Sequence, residues 1–220
     1  APCINACGRL DKTQDALDLF APHPEGDVNV LAETVRDYND TRKEMERRIT
    51  KEAIAQFEEA TGRMNCAIAV GENWHPGVIG IVASRLVEQF HCPAIVLTTT
   101  QEKPDVYTGS ARSVAGFHMY EGLLTVADHI LQFGGHEMAA GLSVAREQLP
   151  AFKAAFAEVT AAYEEEISDH VLWIDDVITI DDANEELEEA LRLLEPCGCE
   201  NPEPLFAMEH MWRFGHRPVG

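Results

Sequence analysis

The stretch NCAIAVGENWHPGVIGIVASRLVEQFHCPAIVLTT, Asn65 to Thr99, decides the fold class. It opens with a short apolar run that ends at Gly71 and closes with a second, PAIVLTT (93–99). Both are too short for an ordinary helix and are bounded by turn residues, so each reads as a strand. Between them PGVIGIVASRLVEQF reads as a helix beginning at Pro76, where a missing N–H and a fixed φ cost nothing. Strand, helix, strand is the repeating unit of an α/β domain.

Working outward, VYTGSARSV (106–114) reads as a strand or strand-loop and MYEGLLTVADHILQF (119–133) as an amphipathic helix. AAGLSVA (139–145) reads as a strand, and the segment from Arg146 to Glu166 as a closing helix. Upstream, APHPEGD (21–27) is a linker by its Pro and Gly content. Residues 29–62 lack Pro and internal Gly. Their apolar positions Leu31, Val35, Tyr38, Met45, Ile49, Ile54 and Phe57 recur at helical spacing as far as a stop at Thr61-Gly62. A helix of about 30 residues spans ~45 Å. It is either a core helix of a bundle or a bridge between lobes, and its thin apolar stripe favours the bridge. The segment before it is read as loop-rich, with a short helix at Thr13 to Phe20. After residue 167 the character changes: HVLWIDDVITI (170–180) reads as a strand, DANEELEEALRLLEP (182–196) as an acidic helix, and the remainder as the start of a β-rich unit.

Composition bounds the function. With 45% apolar and 25% charged residues in 220, the chain has the balance of a soluble globular protein. No apolar run approaches the ~18–20 residues of a membrane span, and no basic-then-apolar leader opens it. The opening APCINACGRL, without Met, reads as the interior of a longer protein. Six cysteines, at 3, 7, 66, 92, 197 and 199, are too sparse for a disulfide framework, so a reducing cytoplasm and free thiols are expected. Cys197 and Cys199 with His210 lack zinc-ligand spacing. The net charge of −21 argues against nucleic acid until it is located. Residues 158–200 hold fifteen acids and one base, whereas residues 1–157 carry only −7, which leaves room for a basic pocket early in the chain.

Four stretches combine glycine with polar or cationic residues beyond what packing asks: INACGRL (Asn5, Gly8, Arg9), NWHPGVIG (His75, Gly77, Gly80), GSARS (Ser110, Arg112, Ser113) and FGGHEMAAG (Gly134, Gly135, His136, Gly141). Glycine exposes backbone N–H donors, arginine supplies a rigid fork for phosphate oxygens, and a helix start at Pro76 offers a positive dipole end. Together they describe a phosphate pocket at the ends of the strands. Each alone has a plainer reading: His75 as a surface histidine, Arg112 as an ion-pair member, Gly134-Gly135 as a sharp turn capped by His136. No catalytic machine is visible. There is no P-loop, no Gly-x-Ser-x-Gly and no acid–histidine cluster, and DDVITIDD (175–182) reads as a solvated acidic surface.

The segments INACGRL (4–10), DYNDTRKEMERRI (37–49), WHPGVIGIVASRL (74–86), GSARSVAGF (109–117), FGGHEMAAGL (133–142) and EPCGCENPEPLF (195–206), in this order, resemble successive motifs of the RecJ family of single-strand-specific 5′-to-3′ DNA exonucleases, in the DHH phosphoesterase superfamily. The resemblance implies an α/β fold in four parts: the tail of a DHH domain (1–27), a long connecting helix (28–62), a DHH-associated substrate-binding domain with a mixed sheet (63–167) and the start of an oligonucleotide-binding-type (OB-like) β domain (168–220). It implies two Mn2+ or Mg2+ ions held by a metal domain outside this chain, so that this chain holds no catalytic residue and no metal and is inactive alone. It assigns substrate-phosphate contact to Gly134, Gly135, His136, Arg112 and Ser113, with Arg9 at a terminal phosphate and His75 at its helix start. The partners it implies are single-stranded DNA and proteins of DNA repair and recombination, for a cytoplasmic monomer. Cys197 and Glu200 depart from the family's turn pattern, an aromatic and a glycine, which puts any DNA contact there in doubt. A non-catalytic nucleotide- or nucleic-acid-binding module and an oligoribonuclease-type phosphoesterase of the same superfamily stay open.

Overall fold

The computed structural model describes residues 1–20, 27–57, 64–163, 172–198 and 200–209. They fall into two compact units, Ala1–Asp169 and His170–Gly220. The first is built on a five-stranded mixed sheet in the order β1-β2-β3-β5-β4. Strands β1 (Ala67–Glu72) and β2 (Ala94–Thr100) are parallel and joined by α4 (Pro76–Phe90). Strand β3 (Lys103–Arg112) turns back antiparallel to β2, and β5 (Ala139–Ala145) pairs antiparallel with both β3 and the edge strand β4 (Gln132–His136).

Alternation along β3 and β5 sorts the two faces. Tyr107, Gly109, Ala111, Ala140, Leu142 and Val144 are buried beneath α5 (Met119–Thr125) and α6 (Leu149–Ala161), around Phe117, Phe152 and Phe156. On the opposite face α4 packs Val78, Ile79, Val82, Ala83 and Leu86 onto Ala67, Ala69, Ala94 and Val96, and α3 (Val28–Ala55) adds Ile49 and Ala53. The α4 layer reaches as far as β3.

The C-terminal half of α3 is held at three points, to the β1 edge, to Trp74 and to α4. The Gln56 side-chain amide pairs with both the N–H and the C=O of Val70, covering the β1 edge. Trp74 Nε1 donates to Glu52 at 2.7 Å, and its ring lies where a Cβ on Gly71 would fall. Glu46, buried in the seam, accepts from Arg85 of α4 at 3.1 Å and from Arg42 of its own helix. At its other end, Val35 meets Cys7 and Ala16 of α1 (Pro2–Arg9) and α2 (Thr13–Phe20), and Tyr38 donates to Asp15 at 2.7 Å.

The second unit holds a two-stranded parallel pair, β6 (Asp176–Val177) with β7 (Phe206–Ala207), and α7 (Glu185–Arg192) with acids through its first turn. Asp175, Asp176 and Asp182 are exposed and accept from nearby backbone N–H groups.

Helices α2, α4 and α7 and strands β1, β2 and β5 lie where periodicity puts them. Four expectations are corrected. Residues 2–9 are helical, because Ala6 and Cys7 are buried in packing against neighbouring helices that Gly8 and Pro2 hide from a local reading. The expected helix over 119–133 ends at Thr125, and residues 132–136 pair into the sheet instead. The strand read over 170–180 is two residues long in its described part. The helix expected over 28–62 ends at Ala55 with Gln56 as its C-cap, before the expected stop; Thr61, Gly62, Cys199 and His210 lie outside the described residues.

Replacing Glu46 by Ala removes the carboxylate that Arg42 and Arg85 share in the helix seam, leaving Arg42 with Asn39 and Arg85 with Glu88. Urea unfolding of the first unit is expected to show a loss of about 2 kcal/mol, below the range for a fully buried pair because Arg85 is half exposed.

Candidate anion-binding site

Strand β3 ends in Gly109-Ser110-Ala111-Arg112, and its alternation sends Ser110 and Arg112 to the face that α4 covers and Ala111 to the core. Cross-strand pairing extends this into two rows. Arg112 stands opposite Ala139, which stands opposite His136; Ser110 stands opposite Gly141, which stands opposite Gly134. Directly paired residues share a face, so these six line one surface. Beyond the last row that α4 covers, Gly134, His136 and Gly141 are exposed. The result is a shelf almost without side chains, three strands wide, with Arg112 at one side and His136 at the other.

The hairpin that carries His136 is pinned. Ser113 N–H donates to Met138 C=O at 2.9 Å and Met119 N–H to Glu137 C=O at 2.8 Å. The His136 ring bonds its own turn, with Nδ1 accepting from Met138 N–H at 3.3 Å.

Arg112 lies back along the sheet, its Nη1 donating to Ser110 Oγ at 3.0 Å and to Ala111 C=O at 2.8 Å. A Cβ on Gly80 of α4 would stand 3.0 Å from both Arg112 Nη2 and Ser110 Oγ. Arg9, the last residue of α1, reaches the same helix and donates from Nη1 to Gly77 C=O at 3.2 Å. Burial, and then the charge of Arg9, hold the Arg112 guanidinium below its ordinary value. Among the described residues neither arginine pairs with a carboxylate, in contrast to Arg42, Arg85, Arg146 and Arg192. Two cations that feel each other's charge, with no described carboxylate partner and beside a hydroxyl, make a seat for an anion.

The structure brings Arg9, Arg112, Gly134 and His136 to this surface and separates three other expected residues from it. Ser113 is buried, and its hydroxyl donates to Phe117 C=O at 2.5 Å; the serine beside Arg112 is Ser110, two residues earlier. Gly135 sits where a Cβ would meet Ala139 and Ala140 at 2.3–2.7 Å, so it serves the close approach of β4 to β5. His75 caps α4, Nδ1 accepting from Gly77 N–H at 3.1 Å, so that donor is spent rather than free. Its ring lines a cleft of about 250 Å3 with Met45, Arg48 and Trp74. The site lies on one face of the sheet at its strand ends: Arg112 and His136 close β3 and β4, and Ala139 opens β5. Ser110 and Gly141 had a signal in the sequence: once GSAR and AAG are strands, period two puts them with Arg112.

The DHHA1 domain model matches residues 63–162, and the RecJ OB domain model matches residues 174–220. The chain belongs to the RecJ family. The single-stranded-DNA-specific exonuclease RecJ of Bacillus subtilis is 34% identical over 221 residues, covering 100% of this chain and 28% of that protein. Crystal structures of RecJ from Thermus thermophilus in complex with Mg2+ and with Mn2+ superpose at TM-scores of 0.79 and 0.78, each at 30% identity and over 94% of this chain. They are covered to 32% and 30% of their own lengths. The chain thus spans less than a third of these RecJ proteins and aligns to their C-terminal part. Among its described residues no three His, Cys, Asp or Glu converge.

The two neighbouring glycines are expected to behave oppositely. Gly134→Ala places its methyl in open space and should be neutral or stabilising by up to ~1 kcal/mol. Gly135→Ala should cost about 1–3 kcal/mol by overpacking. Thermal unfolding of the two variants checks the assignment of faces.

Proposed function

We propose that this chain is the substrate-holding part of a RecJ-type exonuclease acting on single-stranded DNA, and that its shelf binds the phosphates of the strand. The observation that carries this reading is the pair Arg9–Arg112, unpaired by any described carboxylate, at the edge of an uncovered glycine surface. Two guanidinium groups and the Ser110 hydroxyl suit a terminal phosphate, which carries close to two negative charges at neutral pH. The exposed backbone of Gly134 and Gly141 lets the next diester approach the sheet, with His136 on its far side. Binding of this kind positions a scissile bond rather than cleaving it. In the whole protein, hydrolysis depends on two Mn2+ or Mg2+ ions held outside this chain, and the chain alone binds without cutting.

Fluorescence anisotropy with a 5′-phosphorylated oligodeoxynucleotide tests the reading. Binding should weaken linearly with the logarithm of salt concentration, and Arg112→Ala or His136→Ala should each lower affinity by about tenfold, about 1.4 kcal/mol. If both variants bind like the parent, the shelf is not the site. Added Mn2+ should produce no cleavage; robust cleavage by the purified chain would place the metals within it.

A further inference from the structure

Helix α4 presents two glycines one turn apart, Gly77 and Gly80, and each meets one of the paired arginines. A Cβ on Gly77 would lie 1.9 Å from the carbonyl oxygen of Arg9, 2.8 Å from its carbonyl carbon and 3.0 Å from its Cα. All three are backbone atoms of the last residue of α1, which cannot swing aside as a side-chain tip can. The Arg9 guanidinium then turns back and donates to the Gly77 carbonyl. Arg9 is therefore held twice by one residue of α4, while Gly80 leaves room for Arg112 and Ser110 on the same helix.

The conformation of Gly77 does not require glycine. Positive φ among the described glycines is confined to Gly116, and the second position of a helix accepts any residue but for capping. Glycine there is less favourable than alanine by up to ~1 kcal/mol in a helix interior. The contact with Arg9 is the feature of this structure that a methyl group would break.

We infer that Gly77 is a positioning residue: by lacking a side chain it sets the separation of Arg9 from Arg112, and so the selectivity of the shelf for a terminal phosphate over a terminal hydroxyl. The inference rests on the phosphate reading above. A methyl at Gly77 must push α1 away by on the order of 1 Å to reach an allowed contact. That shift parts the two guanidinium groups while leaving the shelf of Gly134, Gly141 and His136 in place.

The test compares 5′-phosphoryl and 5′-hydroxyl oligodeoxynucleotides of one sequence, binding to the 220-residue chain at fixed salt. The parent should prefer the phosphorylated strand, and Arg112→Ala should abolish that preference; if Arg112→Ala keeps it, the phosphate reading itself is wrong. Given that loss, Gly77→Ala should reduce the preference about tenfold, mostly through weaker binding of the phosphorylated strand. Gly8→Ala, whose methyl meets nothing within 4 Å, should not change it. A preference retained in Gly77→Ala, or an equal loss for both strands, overturns the inference and leaves the phosphate reading standing. Should Gly77→Ala fail to fold, Arg9→Lys decides. Lysine keeps the charge and the backbone contact but lacks the fork that holds the Gly77 carbonyl. A lost preference supports positioning by Gly77, and a full preference shows that charge alone suffices and overturns it.

Discussion

The pairing of β3 with β5 is the interaction on which the rest of the first unit depends. It joins the β1–α4–β2 half of the sheet to the β4–β5 hairpin, and it sets Arg112 opposite Ala139 and Ser110 opposite Gly141. Side chains alternate with period two, so a slip of one residue would send Arg112 into the core and Ala111 to the surface. The phenylalanine core beneath Ala111, Ala140 and Leu142 opposes such a slip. The surface that carries Arg112 and Ser110 is thus fixed by the packing on its opposite face.

Charge alone would not have located that surface. The chain carries −21 overall, and most of the acidity lies between residues 158 and 200. In the first unit four of the eight described arginines, Arg42, Arg48, Arg85 and Arg146, pair with carboxylates within helix seams or at the surface. What marks Arg9 and Arg112 is the lack of a described carboxylate partner together with the partial burial of Arg112, which raises the electrostatic cost of leaving the pair without an anion.

The long helix α3 makes this arrangement rigid. One end packs on α1 and α2 through Val35 and Tyr38, and the other holds α4 and the β1 edge through Glu46, Glu52 and Gln56. Arg9 arrives on α1 and Arg112 on β3, far apart in the chain, and both meet α4. A bridge that is fixed at both ends keeps two such distant groups in register, as a catalytic or binding constellation needs.

Much of this was legible in the sequence. Apolar runs of strand length around a proline-started helix gave the α/β unit, and α4 and β5 fall on the residues that periodicity assigned. The glycine-rich stretches with Arg9, Arg112 and His136 marked the residues that the structure brings to one surface, because residue type and spacing report the chemistry available. What the local pattern could not settle was which way each residue faces. Gly134-Gly135 read as a turn because a glycine pair has no strand preference of its own; pairing with β5 makes it a strand and divides its two glycines between an open face and a tight contact. Ser110 and Ser113 are the same residue type in one short stretch, and only the sheet decides that Ser113 bonds Phe117 while Ser110 joins Arg112. The sequence by itself determined the elements and the chemical groups. The tertiary structure decided their orientation, since that depends on hydrogen bonds and packing between residues far apart in the chain.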